Sequence, residues 1–232
     1  MKVKALFISD VHLGSRGSND KKVLELLKEV ETEYLFIVGD FIDGWLLQKK
    51  HYWPQSHTNL VQKILKLSKK KTKVIYITGN HDEFLRSYVD FDFGNIIIAD
   101  EFIYDGYLII HGDKYDGVVK LQWLGKLGAS GYELAINIDR WMKKLGVKVS
   151  LSKYVKEKVK EAVKFITKFE DELIRQARIR NCKGVICGHI HKPDNKILEG
   201  IHYLNCGDWI ENTSYIIQTE TGEMELICYQ KP

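Results

Sequence analysis

Five short motifs in this sequence combine the side chains that proteins use to bind transition metals. Aspartates, histidines and an asparagine recur in them at close spacing, and five of the eight histidines lie inside the motifs. Histidines with purely structural roles would be scattered along the chain, so this clustering indicates a functional site. The motifs are Ser9-Asp10-Val11-His12, Gly39-Asp40, Gly79-Asn80-His81-Asp82, His111-Gly112-Asp113 and Gly188-His189-Ile190-His191.

The mixture of side chains indicates which ions would bind. Carboxylate, amide and imidazole groups together suit Mn, Fe or Zn, whereas Ca²⁺ prefers oxygen ligands alone. The D-x-H and H-x-H spacings place alternate side chains on one side of an extended segment, so both can face one ion. A carboxylate can also bridge two ions ~3.5–4 Å apart, and such a pair binds a phosphoryl oxygen and activates a water. The motifs therefore predict dinuclear phosphoester hydrolysis.

Each motif ends a continuous apolar run of the kind found in strands buried on both faces. Amphipathic patterns near 20–30 and 57–70 predict helices between the first three strands, which indicates an α/β fold. The runs SYIIQTE and EMELICY follow one another closely, so antiparallel pairing is expected there. In open α/β sheets ligands bind at the carboxyl ends of the strands, where all five motifs would lie. The apolar runs cover residues 4–10, 34–40, 73–80, 107–113, 184–189 and 201–208.

One block interrupts this strand pattern. Residues 117–181 show only helical periodicity, so we predict an inserted helical cap between two parts of one core, 1–116 and 182–232. Residues 113–180 contain 16 lysines and arginines against 9 acidic residues, a local balance of +7. This basic excess fits either a solvated helical face or a lid that attracts an anionic substrate or membrane surface.

Composition narrows the remaining possibilities. The chain has 232 residues, 44% of them hydrophobic, enough for one substantial globular domain. The N-terminus reaches charged residues too early for a signal peptide, which predicts a cytoplasmic protein. The four cysteines form no CxxC pair, so we interpret them as reduced, packed thiols. Aromatic and basic residues are not interleaved as in single-strand binders, so no nucleic-acid partner is expected, and the oligomeric state stays open.

The series DVH, GDFIDG, GNHD, HGD and GHIH resembles the calcineurin-like metallophosphoesterase superfamily over nearly the whole chain. The resemblance implies a four-layer α/β/β/α sandwich of two mixed sheets packed face to face, here with the inserted cap. It also implies two divalent ions, for which we expect Mn²⁺, with Fe or Zn as alternatives. The implied ligands of one ion are Asp10, His12, Asp40 and His191, and those of the other are Asp40, Asn80, His111 and His189.

The same resemblance assigns roles beside the ions. His81 would contact the substrate phosphate and protonate the leaving oxygen, and Asn80 would lie beside it against the substrate. Asp43, from GDFIDG, would orient His81, since a carboxylate against an imidazole fixes the tautomer that a general acid needs.

The insert and the later motifs GVICGHIHKP and YLNCGDWIENTS are similar to one branch of the superfamily, the UDP-2,3-diacylglucosamine diphosphatases. That branch cleaves the pyrophosphate of a lipid-bearing UDP-sugar to UMP and the lipid 1-phosphate in lipid A synthesis. A phosphate-containing lipid substrate and peripheral contact of the cap with the inner membrane face are therefore expected. The branch carries arginine where this chain has His81, so a phosphodiesterase or phosphatase acting on a soluble nucleotide remains an alternative. A non-catalytic scaffold is disfavoured because every ligand position is intact.

A final motif, NCGDWIENTS, follows the last apolar core run. Gly207 suggests a sharp turn there, and we expect Asp208 and Trp209 to close over the metal site, with simple packing as the alternative.

Overall fold

The computed structural model describes residues 1–89, 91, 93–115 and 151–229. The chain divides into two compact units, Met1–Asp113 with Leu173–Pro232, and Lys114–Glu172. Residues 117–150 of the predicted cap at 117–181 lie outside the described residues, so its role as a lid stays a prediction.

Strands and helices follow the predicted α/β order. The strands are β1 (Lys2–Ile8), β2 (Glu31–Val38), β3 (Lys73–Ile77), β4 (Ile96–Ala99), β5 (Glu101–Tyr104), β6 (Tyr107–Ile110), β7 (Gly184–Cys187), β8 (Asp194–Leu198), β9 (Ile201–Asn205), β10 (Ser214–Gln218) and β11 (Met224–Cys228). The helices are α1 (Asp20–Glu29), α2 (Gly44–Lys50), α3 (Gln55–Lys69) and α4 (Leu151–Ile179), and two 3₁₀ helices cover Glu83–Tyr88 and Asp113–Tyr115.

The strands form two mixed sheets. The first has the order β11-β10-β1-β2-β3-β4, and the second has the order β5-β6-β7-β9-β8. Strands β1 to β4 pair in parallel, as do β6, β7 and β9. Strands β10 and β11 pair antiparallel to each other, as their close succession predicts.

Successive side chains of a strand point to opposite faces of its sheet, and this alternation explains how the sheets and helices form layers. Phe7 and Phe36 stack with ring centroids 4.7 Å apart, and they share a buried cluster with Ile109 and Ile186 of the second sheet. Their neighbours along the strands, such as Leu6, point to the opposite face and join a second cluster with α1 and α3. The two sheets therefore pack face to face, with two helices covering the first.

The outer face of the second sheet is buried as well. Leu108, Val185 and Tyr203 are all fully buried there. The C-terminal part of α4 carries buried side chains at helical spacing, Leu173, Ile174 and Ala177. The predicted α/β/β/α class is confirmed. Among the described residues, the helices are all too short or too polar to cross a lipid bilayer.

The structure corrects several element boundaries. Strands β1, β2, β3, β6 and β7 end two or three residues before the predicted limits, so the motif residues lie in the loops that follow them. Strands β4 and β5 were missed. Trp45 lies in the short helix α2, whose N-terminus is capped by Asp43.

Candidate metal centre

The loops after five strands bring the motif residues to one edge of the two sheets. Asp10 and His12 follow β1, Asp40 follows β2, Asn80 follows β3, His111 follows β6, and His189 and His191 follow β7. Five of these residues have the left-handed backbone conformation that residues other than glycine seldom adopt, although Asp and His tolerate it better than most. They are Asp10, His12, Asp40, His189 and His191, with φ of 54°, 51°, 51°, 69° and 52°. Strained backbone of this kind concentrates at functional sites.

One group of ligand atoms is formed by Asp10, His12 and His191. Asp10 Oδ1 lies 3.1 Å from His191 Nε2 and 3.7 Å from His12 Nε2. The other oxygen of Asp10 is fixed, because it accepts hydrogen bonds from Ser9 Oγ at 2.5 Å and from the His189 backbone N–H at 3.0 Å. Asp10 therefore presents one free oxygen towards the two imidazoles.

A second group is formed by Asp40, His111 and His189. Asp40 Oδ2 lies 3.3 Å from His111 Nε2 and 3.9 Å from His12 Nε2, so this oxygen faces both groups. His111 Nδ1 lies 2.8 Å from the Val38 carbonyl oxygen, which can only accept, so Nδ1 carries a proton and Nε2 is the ring atom that faces Asp40. The location of Asp40 between the groups suits the predicted bridging role.

Asp43 contacts two histidines rather than one. Its Oδ1 lies 3.1 Å from His81 Nδ1, the contact expected from the sequence, and its Oδ2 lies 3.4 Å from His12 Nδ1, which was not expected. The same carboxylate accepts from the Leu46 backbone N–H at 2.8 Å as the cap of α2. The His81 ring also lies against Trp45, with centroids 4.3 Å apart.

The electrostatics of the site favour bound cations. Burial by itself raises the pKa of Asp10, yet the nearby His191 and His111 imidazoles hold that pKa well below its ordinary value. Burial likewise disfavours protonated His12, but the carboxylates of Asp10 and Asp43 raise its pKa to about 10. The same negative potential would attract a divalent ion.

Unpaired buried atoms support the same conclusion. Among the described residues, several buried ligand atoms make no hydrogen bond, although buried polar groups nearly always find a partner. They are Asp10 Oδ1, His12 Nε2, Asn80 Oδ1, His111 Nε2 and His191 Nε2. All belong to predicted ligands, and imidazole nitrogens with carboxylate or amide oxygens are the donor set that Mn, Fe or Zn accept. The residues present therefore fit two divalent ions.

Two supporting residues were not identified from the sequence. Ser9 bonds both Asp10 and the Val38 carbonyl. Asp82, fully buried, accepts from the backbone N–H groups of Phe41 and Gly79 and from the Tyr76 hydroxyl, at 2.9, 2.6 and 2.6 Å. It thus fixes the chain beside Asp40 and Asn80. Its place in GNHD was the available signal, but nothing in the spacing shows that its side chain turns towards the backbone.

Gly188 lies where two loops of the site approach closely. A Cβ atom added there would overlap Ser9 Oγ and Asp10 Oδ2 and would lie 2.8 Å from Ser9 Cβ. Only glycine lets β7 deliver its histidines this close to Asp10.

The fold and the site together define a metallophosphoesterase. A family model for calcineurin-like phosphoesterases matches residues 3–193, and the chain belongs to that family. It is accordingly a phosphoester hydrolase of a class that depends on two metal ions, with candidate ligand groups for them.

The names of two similar relatives specify a substrate as well as the family. The chain is 26% identical to the UDP-2,3-diacylglucosamine hydrolase of Porphyromonas gingivalis over 94% of each chain. It is 24% identical to the protein of that name from Neisseria gonorrhoeae, over 92% of this chain and 93% of the other. Among solved structures, a novel archaeal phosphodiesterase aligns with TM-score 0.46 and 16% identity, over 97% of this chain and 99% of that one. The phosphoesterase Yfce from E. coli aligns with TM-score 0.46 and 14% identity over the same shares.

Proposed function

We propose that this protein hydrolyses the pyrophosphate bond of UDP-2,3-diacylglucosamine, or of a similar lipid-linked nucleotide sugar, to UMP and the lipid 1-phosphate. This proposal is supported above all by the two ligand groups, which meet at Asp40 Oδ2, and by His81 beside them. The substrate class is supported by relatives of that name, aligned over more than nine-tenths of this chain.

Two divalent ions, for which we propose Mn²⁺, would supply Lewis-acid stabilisation of the phosphoryl oxygens and lower the pKa of the attacking water. The residues holding them would be Asp10, His12 and His191 for one, and Asn80, His111 and His189 for the other, with Asp40 shared. Asn80 Oδ1, which is buried and makes no hydrogen bond to any described residue, would face the ion. Its Nδ2 would be the atom that contacts the substrate, because the amide NH₂ can donate to a phosphoryl oxygen.

His81 would serve the leaving group. Its Nδ1 faces Asp43 Oδ1 at 3.1 Å, and its Nε2 lies 3.9 Å from Asp40 Oδ2, on the side of the ligand atoms. Water would form a new bond to one phosphorus as the bond to the bridging oxygen breaks. His81 Nε2–H would donate a hydrogen bond or a proton to that departing oxygen, and the proton of the attacking water would pass to solvent. Asp43 would hold the imidazole in the required orientation.

A second candidate function is hydrolysis of a soluble nucleotide or another simple phosphoester. It is favoured by His81, which occupies the position where the branch it resembles carries arginine. For the lipid reaction we further propose a cytoplasmic protein that contacts the inner membrane face through the predicted cap at 117–181.

A substrate panel tests both functions. The full chain would be incubated with Mn²⁺ and UDP-2,3-diacylglucosamine, a UDP-sugar without acyl chains, or bis-p-nitrophenyl phosphate. We expect hydrolysis of the lipid substrate to be fastest, to stop in excess chelator and to return with added Mn²⁺. Asp40→Asn should abolish it, while Asp20→Asn, at a buried carboxylate outside the centre, should not.

Two other results of the panel would contradict the proposal. Activity on bis-p-nitrophenyl phosphate without activity on the lipid substrate would favour the second function. Activity that persists in excess chelator would contradict metal-dependent catalysis itself.

A further inference from the structure

The loop of residues 208–212 has a buried aspartate as its anchor. Asp208 is fully buried, and its Oδ1 accepts from the backbone N–H groups of Ile210 and Glu211 at 2.7 and 2.6 Å. These bonds leave Oδ2 for a side chain of the same loop. That side chain is Asn212, whose amide nitrogen donates to it.

Asn212 connects this anchor to the metal centre. Its Nδ2 also donates to the backbone oxygen of His191 at 2.9 Å. Both partners of Nδ2, a carboxylate and a carbonyl, can only accept hydrogen bonds, so the orientation of the amide is determined by its surroundings. Asn212 therefore uses both of its side-chain N–H donors, and through them it links the carbonyl group of His191 to the buried carboxylate of Asp208.

The peptide group it holds needs support. His191 has a left-handed backbone, φ 52°, and its Nε2 reaches Asp10 Oδ1 at 3.1 Å. A strained conformation persists only where its surroundings determine it. If the carbonyl of His191 were released, its φ and ψ could relax and carry the imidazole away from Asp10.

The same loop supports a second residue of the same ligand group. The Trp209 backbone N–H donates to the Asp10 carbonyl oxygen at 3.0 Å. In the other ligand group, His111 is held by the Val38 carbonyl, and the His189 N–H donates to Asp10 Oδ2, an oxygen that Ser9 Oγ also holds. Neither of these hydrogen bonds is made to a residue of the loop. The loop thus contacts the backbone of Asp10 and His191, which would bind one and the same ion.

We propose that Asn212 is a positioning residue for the ion held by Asp10, His12 and His191, and that it sets the affinity of this ion separately from that of the other. The inference rests on the dinuclear centre of the proposed function. Residues that orient metal ligands through hydrogen bonds typically change metal affinity by about 10- to 100-fold when removed.

Manganese titration of the full chain tests this directly. Metal-free protein would be titrated with Mn²⁺, and free Mn²⁺ would be followed by its six-line electron paramagnetic resonance signal. The unmodified chain should bind two ions. Asn212→Ala should weaken one of them by about 10- to 100-fold and leave the other within about threefold, since its ligands keep their own supports.

The matched control is Asn19→Ala. Asn19 Nδ2 donates a hydrogen bond to the Ile210 carbonyl oxygen at 3.0 Å. This change therefore removes a side-chain hydrogen bond to the same loop and leaves the contact with His191 in place. The Asn19→Ala variant should bind both Mn²⁺ ions with nearly the affinity of the unmodified chain. Asn212→Asp provides a second variant of nearly unchanged size, in case the alanine variant misfolds. It should show the same loss at one ion, because its carboxylate faces two acceptors.

Each alternative result has a distinct meaning. Unchanged binding of both ions by folded Asn212 variants, or an equal loss in Asn212→Ala and Asn19→Ala, would overturn the positioning role and leave the proposed function standing. Fewer than two ions bound by the unmodified chain would overturn the dinuclear centre and the inference with it.

Discussion

Asp43→Asn separates the structural role of Asp43 from its role in the metal centre. The carboxylate caps α2 through Leu46, contacts His81 through Oδ1 and contacts His12 through Oδ2. Asparagine keeps an oxygen in the Oδ1 position, which preserves the cap and the contact with His81. It replaces Oδ2 by an NH₂ group, which can only donate a hydrogen bond to His12 Nδ1.

That replacement should reverse the tautomer of His12. With a donor opposite Nδ1, the imidazole proton is expected at Nε2, the atom that faces Asp10 and Asp40 at 3.7 and 3.9 Å. A protonated nitrogen cannot bind a metal, so Mn²⁺ affinity should fall about 10- to 100-fold. Loss of the ordered centre should also lower activity by about 10- to 100-fold, the usual range when a group that orients a metal ligand is removed.

The free energy of unfolding should depend on Asp43 in a different way from metal binding and catalysis. Asparagine caps helices about as well as aspartate, whereas alanine loses about 1 kcal/mol. In metal-free buffer, urea unfolding should therefore show Asp43→Ala to be about 1 kcal/mol less stable than Asp43→Asn. Asp20→Asn is the control, because Asp20 faces a histidine outside the centre, His57, at 3.9 Å. Unchanged Mn²⁺ binding and kcat in Asp43→Asn, measured by titration and steady-state kinetics, would refute this account of His12.

Two further predictions concern catalysis and close packing. His81→Ala should bind both Mn²⁺ ions normally in the titration while kcat falls by about 10²- to 10⁴-fold, and an unchanged kcat would remove His81 from the chemistry. Gly188→Ala should lower the free energy of unfolding in urea by about 1–3 kcal/mol through overpacking and should weaken Mn²⁺ binding by displacing Asp10. Gly17→Ala, where a Cβ would approach other atoms no closer than 3.4 Å, should change neither, and equal stability of the two alanine variants would contradict the close approach.

The sequence predicted which residues lie together at the strand ends better than it predicted the elements around them. Apolar runs ending in polar motifs mark parallel strands whose carboxyl ends share an edge, and this brought Asp10, Asp40 and His111 together correctly. Strands β4 and β5 were missed because the segment that contains them lacks a metal-binding motif and has no turn of glycine or proline between the two strands.

Two contacts between residues distant in sequence could not be predicted, for a physical reason. Asn212 reaches the His191 carbonyl across 21 positions, and Asp43 reaches His12 across 31. Neither pair follows from helical or strand periodicity, because the contact exists only after the loops have been placed by the packed sheets.

The left-handed backbone of five ligand residues limits how far this centre could be moved to another protein. At roughly 1–3 kcal/mol each, such conformations together store roughly 5–15 kcal/mol. That is about the whole net stability of an ordinary domain. Copying the seven ligand side chains onto a small scaffold would therefore fail even with ideal rotamers, since the scaffold could not hold the strain. The centre is portable only together with the two sheets and the loops that enforce its backbone.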